Sequence, residues 1–478
     1  MARAADRERY LMIGAGRRAG RPGGPAARRG QAKRAAGGRS WAGRVALGRS
    51  AQVVRIVARH GARLARRRLE GARGGVAREV RETLGDLGPT FVKLGQVLST
   101  RPDIVPPALE SELATLQDAA TPVPPDAALR ALRRELGRDP AVVFAEFDED
   151  PIASASIGQV HGARLVDGGE VVVKLRRPGV ATVVEQDLVV LALGASVLGR
   201  IPGLLRRVDV VGFVEQFAET IRGELDYVAE GRNAEHVRRD LADLPVHVPA
   251  VVWDATTHGV LTLERIHGTK IDDLEALDRE GVDRPALART LARVYLSMVF
   301  THGFFHADPH PGNFFVEPGG RLAMVDFGMV GTVPDEVRLG LVQLLLALVA
   351  HDTRRLLASM RRLGVVPASV DEDRLVKDLD RLTASSIEVA VGELRLAPLV
   401  ADLMGVSRRH RLAFPRDLAL LVKTVVMCEG LAARLDPAFA LPEVLVAFAA
   451  TGLGGAGRGR PECPERGSNP HVLSDSGF

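Results

Sequence analysis

The chain has 478 residues, of which 46% are hydrophobic, so it can bury a large core and hold more than one domain. Its two cysteines, Cys428 and Cys463, lack metal-ligand spacing, which excludes a disulfide framework and predicts a reducing compartment. The formal net charge of +5 hides an asymmetry: residues 1–81 carry 22 Lys and Arg against 4 Asp and Glu, a balance of +18, and the remainder carries −13. No signal-peptide pattern and no uninterrupted apolar run of about 18 residues occurs, so a membrane-spanning segment is not expected.

The basic N-terminal arm has two parts. Residues 1–43 are rich in Arg, Gly and Ala, and we predict that they are disordered. Within 44–69, apolar residues such as Val53 and Val57 recur among eight arginines, which favours a basic amphipathic helix on anionic lipid. A solvated basic tail and a contact with nucleic acid remain open as alternatives.

Residues 44–121 are predicted to form a helical extension. Its helix from about Thr90 carries Lys93 and Gln96, which are three positions apart and therefore lie on one face, with Gly95 beside them. The missing side chain of Gly95 would allow another group to approach closely. The pattern alone favours an ordinary exposed face, and the run of prolines at 122–125 marks the end of the extension.

Residues 122–268 are predicted to form a small lobe with an antiparallel sheet. Two β-rich runs, Ile157–Leu165 and Glu170–Leu175, flank an Asp-Gly-Gly turn typical of a hairpin. The second run contains Lys174, which matches the strand lysine that grips the α- and β-phosphates in protein kinases. Ahead of it, Ala153-Ser154-Ala155-Ser156 stands where kinases have a glycine-rich loop. Small side chains still admit phosphate, but without glycine this loop should be stiffer.

Acidic residues follow in one predicted helical stretch from about Val210 to about Arg239. Glu230 is a candidate partner for a buried Lys174, and Glu224 and Asp226 precede it; a solvated acidic face is the alternative. Two further strands are predicted at His247–Val252 and Gly259–Leu263. They lead to a hinge-like connector, Glu264–Gly268, in which Glu264 is a candidate nucleotide contact.

Residues 269–440 are predicted to form a helical lobe that carries the most specific pattern of the chain. Asp308 is followed five positions later by Asn313, and Asp326 comes thirteen after that and opens an Asp-Phe-Gly tripeptide. The order resembles the kinase set, in which one Asp orients the attacking hydroxyl while Asn and a second Asp hold Mg²⁺ on the phosphates. His306 and His310 could instead ligate zinc, but Asn313 and Asp326 would then have no role.

The remaining predicted elements are mainly helical, with one strand. They are an apolar helix at Leu291–Thr301, a strand at Leu322–Val325 that delivers Asp326, and helices at Val337–Ala350, Thr353–Arg362, Glu372–Val391 and Leu418–Arg434. A short apolar segment and a disordered tail are predicted for 441–478.

These motifs in combination resemble the UbiB/AarF (ADCK) family of atypical kinase-like proteins over roughly residues 80–440. The family's KxGQ motif stands as Lys93-Leu94-Gly95-Gln96, its alanine-rich loop spans Pro151–His161, and its ExD motif is Glu224-Leu225-Asp226. The other matches are Lys174, Glu230, Asp308, Asn313, Asp326 and the late Glu429-Gly430 and Leu435-Asp436-Pro437.

The resemblance implies an α+β, protein-kinase-like, two-lobed fold with ATP and Mg²⁺ as cofactors. Lys174 would hold the α- and β-phosphates, braced by Glu230; Asp308 would be the base; and Asn313 and Asp326 would bind Mg²⁺. The KxGQ helix, with Lys93 and Gln96, would cover the substrate side of the cleft as a lid, and Lys93 would face Glu224 and Asp226. The resemblance also implies that the loop 153–156 and Glu264 contact the nucleotide.

The resemblance further implies slow ATPase, small-molecule kinase or lipid kinase activity in quinone or other prenyl-lipid metabolism. The expected partners are a nucleotide, an anionic membrane surface and a prenyl-lipid or quinone substrate, whereas nucleic acid is not expected. The expected location is cytoplasmic, peripheral on the inner face of the cell membrane. The sequence predicts neither the substrate nor the oligomeric state.

Two alternatives and two departures accompany this hypothesis. The chain could be a nucleotide-sensing pseudokinase that regulates a membrane biosynthetic complex, or a small-molecule kinase of the aminoglycoside/choline type, against which the KxGQ helix argues. Many bacterial members end in a pair of hydrophobic helices, whereas here the 14-residue apolar run Val444–Gly457 precedes a polar tail. Ser154 stands where some members have alanine, a small change that should not abolish nucleotide binding.

Overall fold

The computed structural model describes residues 48–69, 75–99, 105–116, 120–200, 209–350, 352–387, 396–412 and 415–452. The predicted disordered arm at 1–43 and most of the predicted tail lie outside these residues. The chain divides into two compact units, one made of residues up to 117 together with Ala181–Ala218, and one made of Asp118–Val180 together with the residues from Glu219 onward.

The first unit is helical. Its first helix, α1 (48–69), buries Ile56 and His60 on one face, as expected of the amphipathic pattern. Arg49 Nε of α1 contacts the fully buried Asp187 carboxylate at 2.5 Å, so an ion pair ties α1 to the helix that carries Asp187. The described helices of this unit are α1, α2 (Val76–Leu87), α3 (Pro89–Leu98), α4 (Pro107–Leu113) and α6 (Val180–Gly199), with the first part of α7 (Val210–Glu224).

Helix α6 is longer than its apolar run predicts. The sequence indicated a short run from Leu188, but the helix begins at Val180 and runs for 20 residues through Glu185 and Asp187. Its Val180–Val197 window has a mean hydropathy of 1.6, and 28% of that window is buried. By length and composition alone, α6 could cross a membrane.

The second unit contains an antiparallel sheet that carries Lys174. The elements are α5 (Pro125–Leu136), β1 (Phe144–Phe147), β2 (Ala153–Ser154), β3 (Gly158–Leu165), β4 (Glu170–Arg176) and β6 (Val260–Glu264). The strand order is β1-β3-β4-β6, with β2 paired to β3, and Lys174 on β4 lies between Val160 of β3 and Leu261 of β6. Ala128 and Leu132 of helix α5 pack into one core with Val173 of the sheet.

The single helix predicted from Val210 to Arg239 is wrong, because the chain breaks into two helices at Leu225 and Asp226. The Asp226 carboxylate accepts hydrogen bonds from the backbone N–H groups of Val228 and Ala229 and so caps the N-terminus of α8 (Tyr227–Asp240). Helix α8 buries Tyr227 and Glu230. The break therefore sets the start of the helix that presents Glu230 to the sheet.

The larger lobe of the second unit is mainly helical, as predicted. Helices at 274–279 and 396–410 were missed, and the predicted strand at 247–252 shrinks to Val246–His247. Its strands are β5 (Val246–His247), β7 (Thr269–Lys270), β8 (Phe304–His306), β9 (Phe314–Glu317), β10 (Arg321–Met324) and β11 (Val330–Thr332). Its helices are α9 (Leu274–Arg279), α10 (Arg284–Leu296), α11 (Asp335–Val349), α12 (Thr353–Arg362), α13 (Glu372–Ile387), α14 (Leu396–His410), α15 (Arg416–Leu435) and α16 (Leu441–Gly452).

A π-helix, Ser297–His302, joins α10 to the segment that carries Asp308. Met298 and Val299 of this segment are buried, and the chain then enters β8, which pairs with β11. Strands β9 and β10 form the hairpin that delivers Asp326, with its turn at Pro318-Gly319-Gly320. Asn313 directly precedes β9 and Asp326 follows β10, so the two predicted metal ligands lie at the same end of this hairpin.

Candidate active site

Lys174 lies at the centre of the site. Its Nζ donates to both carboxylate oxygens of Glu230, at 2.8 and 2.9 Å, and lies 3.5 Å from Asp326 Oδ1. It also lies 5.2 Å from the ring centroid of Tyr227, within reach of a cation–π contact. The sheet, α8 and the Asp-Phe-Gly segment thus meet at one ammonium group.

Burial and charge act in opposite directions on this cluster. Burial alone would lower the pKa of Lys174, but the carboxylates of Asp326 and Glu230 outweigh it and hold that pKa well above its usual value. Burial raises the pKa of Glu230 to about 7, because the attraction of Lys174 only partly offsets desolvation. Lys174 is therefore a permanent cation at the place where a nucleotide's phosphates would meet the sheet.

The alanine-rich loop is held by hydrogen bonds rather than left mobile by glycine. Arg177 donates through Nε to the Ala155 carbonyl at 2.7 Å and through Nη2 to Ser154 Oγ at 2.8 Å. Ala153 and Ser154 form the short β2, Ser156 is buried, and no residue of 153–158 has positive φ. The backbone of this loop accordingly has less freedom than a glycine-rich loop would.

Asp308 and Asn313 are held together by the loop that connects them. Asn313 Nδ2 donates to the Asp308 carbonyl at 3.0 Å and to Asp308 Oδ2 at 3.3 Å. His306 is buried, and its Nε2 donates to the Asp326 carbonyl at 2.8 Å while its Nδ1 accepts from the Asp308 N–H at 3.3 Å. His306 therefore joins the two acidic segments and is not placed as a metal ligand.

Asp326 adopts a left-handed backbone, with φ of 62°. A non-glycine residue rarely does so, and such strain persists where neighbours fix it. Here the buried Phe327 anchors the next position, and Asn233 of α8 donates to the Phe327 carbonyl at 3.0 Å. Helix α8 thus positions both Glu230 and the Asp-Phe-Gly backbone.

The donor set fits a hard divalent cation. Asn313 uses its amide nitrogen on Asp308, which leaves Oδ1 without a hydrogen-bond donor among the described residues. The Asp326 carboxylate is half-exposed and faces Lys174. An amide oxygen and a carboxylate on two segments that meet are suitable ligands for Mg²⁺, which keeps several waters and takes the rest of its ligands from a nucleotide.

The other predicted site residues have different surroundings. The Glu264 carboxylate accepts from the Ala250 N–H at 3.0 Å and lies 3.3 Å from His247 Nε2, so it braces the connector after β6. Lys93 and Gln96 belong to the first unit, whereas Glu224 and Asp226 belong to the second, and the lid stays a prediction.

The small residue of the KxGQ segment has a packing role inside the first unit. A Cβ on Gly95 would lie 2.3 Å from Leu116 Cδ1 and 3.0 Å from Leu84 Cδ1. Gln96 Nε2 donates to the Leu116 carbonyl at 3.2 Å. The close approach that the sequence predicted at Gly95 is made by leucine side chains of the same unit.

Three residues near the site were missed by the sequence. Tyr227 packs over Lys174, and Arg177 holds the alanine-rich loop. Lys423 of α15 lies in the field of Asp308, although more than a hundred residues separate the two. The position of Arg177 directly after the strand of Lys174 is a weak indication that it lies near the site. No pattern in a single sequence indicates that Lys423 does.

Comparisons with known proteins agree with this geometry. A model of the ABC1 atypical kinase-like domain matches residues 115–360, and a model of the UbiB helical domain matches residues 379–440. The chain belongs to the ABC1/UbiB family of atypical kinase-like proteins. The family predicted from the motifs is thereby confirmed.

Two relatives illustrate the breadth of this family. A probable protein kinase UbiB of Pseudomonas aeruginosa (strain LESB58) is 37% identical over 379 residues, which cover 78% of this chain and 70% of the relative. The Arabidopsis thaliana protein ACTIVITY OF BC1 COMPLEX KINASE 8, chloroplastic, is 35% identical over 410 residues, covering 78% of this chain and 54% of the relative.

A solved structure shares the fold of this ABC1/UbiB family member. Rv3197 of Mycobacterium tuberculosis, solved as a complex with erythromycin, is 29% identical with a TM-score of 0.55, covering 77% of this chain and 94% of its own. The two-lobed α+β, kinase-like fold predicted from the sequence is confirmed.

Proposed function

We propose that the protein binds Mg²⁺-ATP and transfers or hydrolyses its γ-phosphate in support of quinone or other prenyl-lipid metabolism. The observation that carries this proposal is the three-way contact of Lys174 with Glu230 and Asp326. Protein kinases require both the lysine–glutamate pair and the contact of the Asp-Phe-Gly aspartate with Mg²⁺ before catalysis. The contacts of Lys174 with Glu230 and Asp326 support this interpretation. The name of one relative, probable protein kinase UbiB, supports the kinase part of this proposal. The quinone or prenyl-lipid part rests on the family resemblance of the motifs.

Each residue has a separate role in the proposed mechanism. Lys174 would bind the α- and β-phosphates, and Glu230 would orient it. Asn313 and Asp326 would hold Mg²⁺, which supplies charge neutralisation on the phosphates when bound. Asp308, aligned by Asn313, would accept the proton of the attacking hydroxyl or water.

The test measures nucleotide binding first. At about 100 times Kd, Mg²⁺-ATP should stabilise the wild type by roughly 2.7 kcal/mol. Asp326→Asn should lose most of this gain, because an amide cannot replace the anionic ligand, while Asp254→Asn, an exposed aspartate of the same unit, should keep it. Equal stabilisation of both variants in a thermal-shift titration would contradict the assignment.

Turnover separates the enzyme from the pseudokinase alternative, which the restrained alanine-rich loop favours. Purified protein is incubated with γ-labelled ATP, and released phosphate and labelled lipid are measured beside Asp308→Asn. Turnover that needs Asp308 supports the enzyme. If the protein binds nucleotide but wild type and Asp308→Asn release the same amount of phosphate and label the same amount of lipid, the nucleotide-sensor alternative is favoured.

The proposed membrane location rests on the first unit. Helix α1 exposes Val54 (66%) and Val57 (49%) beside exposed arginines such as Arg55 and Arg59. Along α6, exposed apolar residues recur every four positions, at Val189, Leu193 and Val197, and so form one stripe. An apolar face beside cationic side chains suits the interface of an anionic bilayer. Sedimentation with anionic but not neutral vesicles, reduced by salt and by deletion of 48–69, is the expected result.

A further inference from the structure

The catalytic loop provides no permanent cation. Between His306 and Asn313 there is neither Lys nor Arg. The two ring nitrogens of His306 contact the Asp326 carbonyl and the Asp308 N–H. His310 Nδ1 accepts from the Gly312 N–H at 3.1 Å. Lys174 is already paired with Glu230, so the acceptor side of the loop needs a positive charge from elsewhere.

Helix α15 brings a lysine to this loop. Thr424 is fully buried and donates through Oγ1 to the Ala307 carbonyl at 3.3 Å, one residue before Asp308. The next residue back along the helix is Lys423, which is partly buried. The buried Tyr295 hydroxyl, which lies in the field of Asp308, has no hydrogen-bond partner among the described residues.

Lys423 is poised for an anionic partner. Within the described part of the chain its ammonium makes no hydrogen bond and no ion pair, and the one charge that acts on it is that of Asp308. Burial lowers the pKa of Lys423, and Asp308 only partly opposes this. A partly buried ammonium without a close counter-ion is costly, and an incoming phosphoryl group would offset that cost.

We propose that Lys423 is a further catalytic residue, whose ammonium contacts the oxygens of the phosphoryl group during transfer. This inference rests on the proposed phosphotransferase or ATPase function. In the step, the bond between the γ-phosphorus and the oxygen bridging to the β-phosphate breaks, and its electron pair stays on ADP. A bond forms between the γ-phosphorus and the acceptor oxygen, whose proton passes to Asp308. Lys423 stabilises the charge on the equatorial oxygens from the acceptor side, and Lys174 acts on ADP.

The experiment compares Lys423→Met with Lys377→Met, an exposed lysine of α13 in the same helical lobe. Methionine keeps the length of the side chain and removes only the charge, so the melting temperature of Lys423→Met should not fall. The probes are Mg²⁺-ADP, Mg²⁺-ADP with orthovanadate as a mimic of the transferring phosphoryl group, and the rate of ATP hydrolysis. Lys423→Arg tests whether a cation alone suffices.

A catalytic cation predicts a specific split between these readouts. Lys423→Met should bind Mg²⁺-ADP within about twofold of wild type, yet bind the vanadate complex at least tenfold more weakly and lower kcat about 10²-fold, the usual effect of losing one preorganised donor. Lys423→Arg should recover part of kcat, and Lys377→Met should match wild type throughout.

The opposite results are equally clear. If wild type hydrolyses ATP and Lys423→Met equals Lys377→Met in kcat and in vanadate affinity, Lys423 is not catalytic while the proposed function stands. If wild type shows neither turnover nor vanadate binding, both are overturned. If Lys423→Met unfolds, Lys423→Gln is measured in the same way, and an equal loss of Mg²⁺-ADP and vanadate affinity in it would show a structural role instead.

Discussion

Removing the charge of Lys174 should destabilise the protein in a pH-dependent way. Lys174→Met leaves Glu230, whose side chain is 4% exposed, without the ammonium that both its oxygens contact. Removing one partner of a buried ion pair typically costs about 3–5 kcal/mol of unfolding free energy. We expect a loss in this range at pH 8.

The pH dependence follows from Glu230. The pKa of Glu230 is about 7 in the folded protein against 4.5 for the free group, so Glu230 holds its proton more tightly in the folded state. The contribution of this protonation to the unfolding free energy is complete below about pH 4.5 and is lost as the pH rises through 7. Without Lys174 the pKa of Glu230 rises further. Between pH 7 and 8 the variant should therefore lose up to about 1.4 kcal/mol more than wild type.

The assay is urea unfolding followed by tryptophan fluorescence at pH 5, 6, 7 and 8. The control is Lys270→Met, an exposed lysine of the same unit, which should stay within about 0.5 kcal/mol of wild type at every pH. The double variant Lys174→Met/Glu230→Gln should recover part of the loss at pH 8. A Lys174→Met difference that is below about 1 kcal/mol, or that does not grow with pH, would refute this account of the pair.

Three further outcomes are expected. Gly158→Ala places a Cβ 2.3 Å from the Tyr227 hydroxyl of α8 and should lower the unfolding free energy measured in urea by about 1–3 kcal/mol. The control Gly194→Ala, whose Cβ would have no atom within 4 Å, should not destabilise the protein. Equal effects of the two substitutions would contradict the close packing at Gly158. Burial raises the pKa of the Cys428 thiol, so a maleimide at pH 8 should label Cys428 only when the protein unfolds. The assay uses a Cys463→Ser variant, in which Cys428 is the one remaining thiol. Fast labelling of the folded variant would contradict the burial of Cys428. Lys93→Ala should open the predicted lid and permit autophosphorylation that wild type lacks, and incorporation no higher than in wild type or Asp308→Asn would count against a restraining lid.

The sequence predicted well where chemistry demanded particular residue types at particular separations. Lys174, Glu230, Asp308, Asn313 and Asp326 were each named from spacing and motif. The structure joins Lys174 to Glu230 and Asp326, and Asn313 to Asp308, and His306 contacts the backbone of both Asp308 and Asp326. Such residues are recognisable because few side chains can perform the required chemistry. The two-lobed fold followed from the same motifs.

Other features depend on contacts that no local pattern records. The break at Asp226 was missed because an acid inside an apolar helical pattern reads as a surface charge until its capping bonds are seen. Lys423 was missed because its neighbour Asp308 is distant in sequence and becomes close only when α15 packs on the catalytic loop. Helix α6 was underestimated because Asp187, which interrupts its apolar run, is neutralised by Arg49.

The π-helix at Ser297–His302 makes the entry to the catalytic loop sensitive to chain length. Compared with an α-helix, a π-turn holds one extra residue, so this segment takes up a one-residue excess between α10 and β8. Inserting a further residue would exceed the excess that this segment already takes up and would turn everything after it by about 100° about the helix axis. The buried His306 would then leave the Asp326 carbonyl. Substitutions on the exposed side of α10 should be tolerated, but insertions between 297 and 302 should not, so evolution can vary the chemistry of this segment more readily than it can lengthen it.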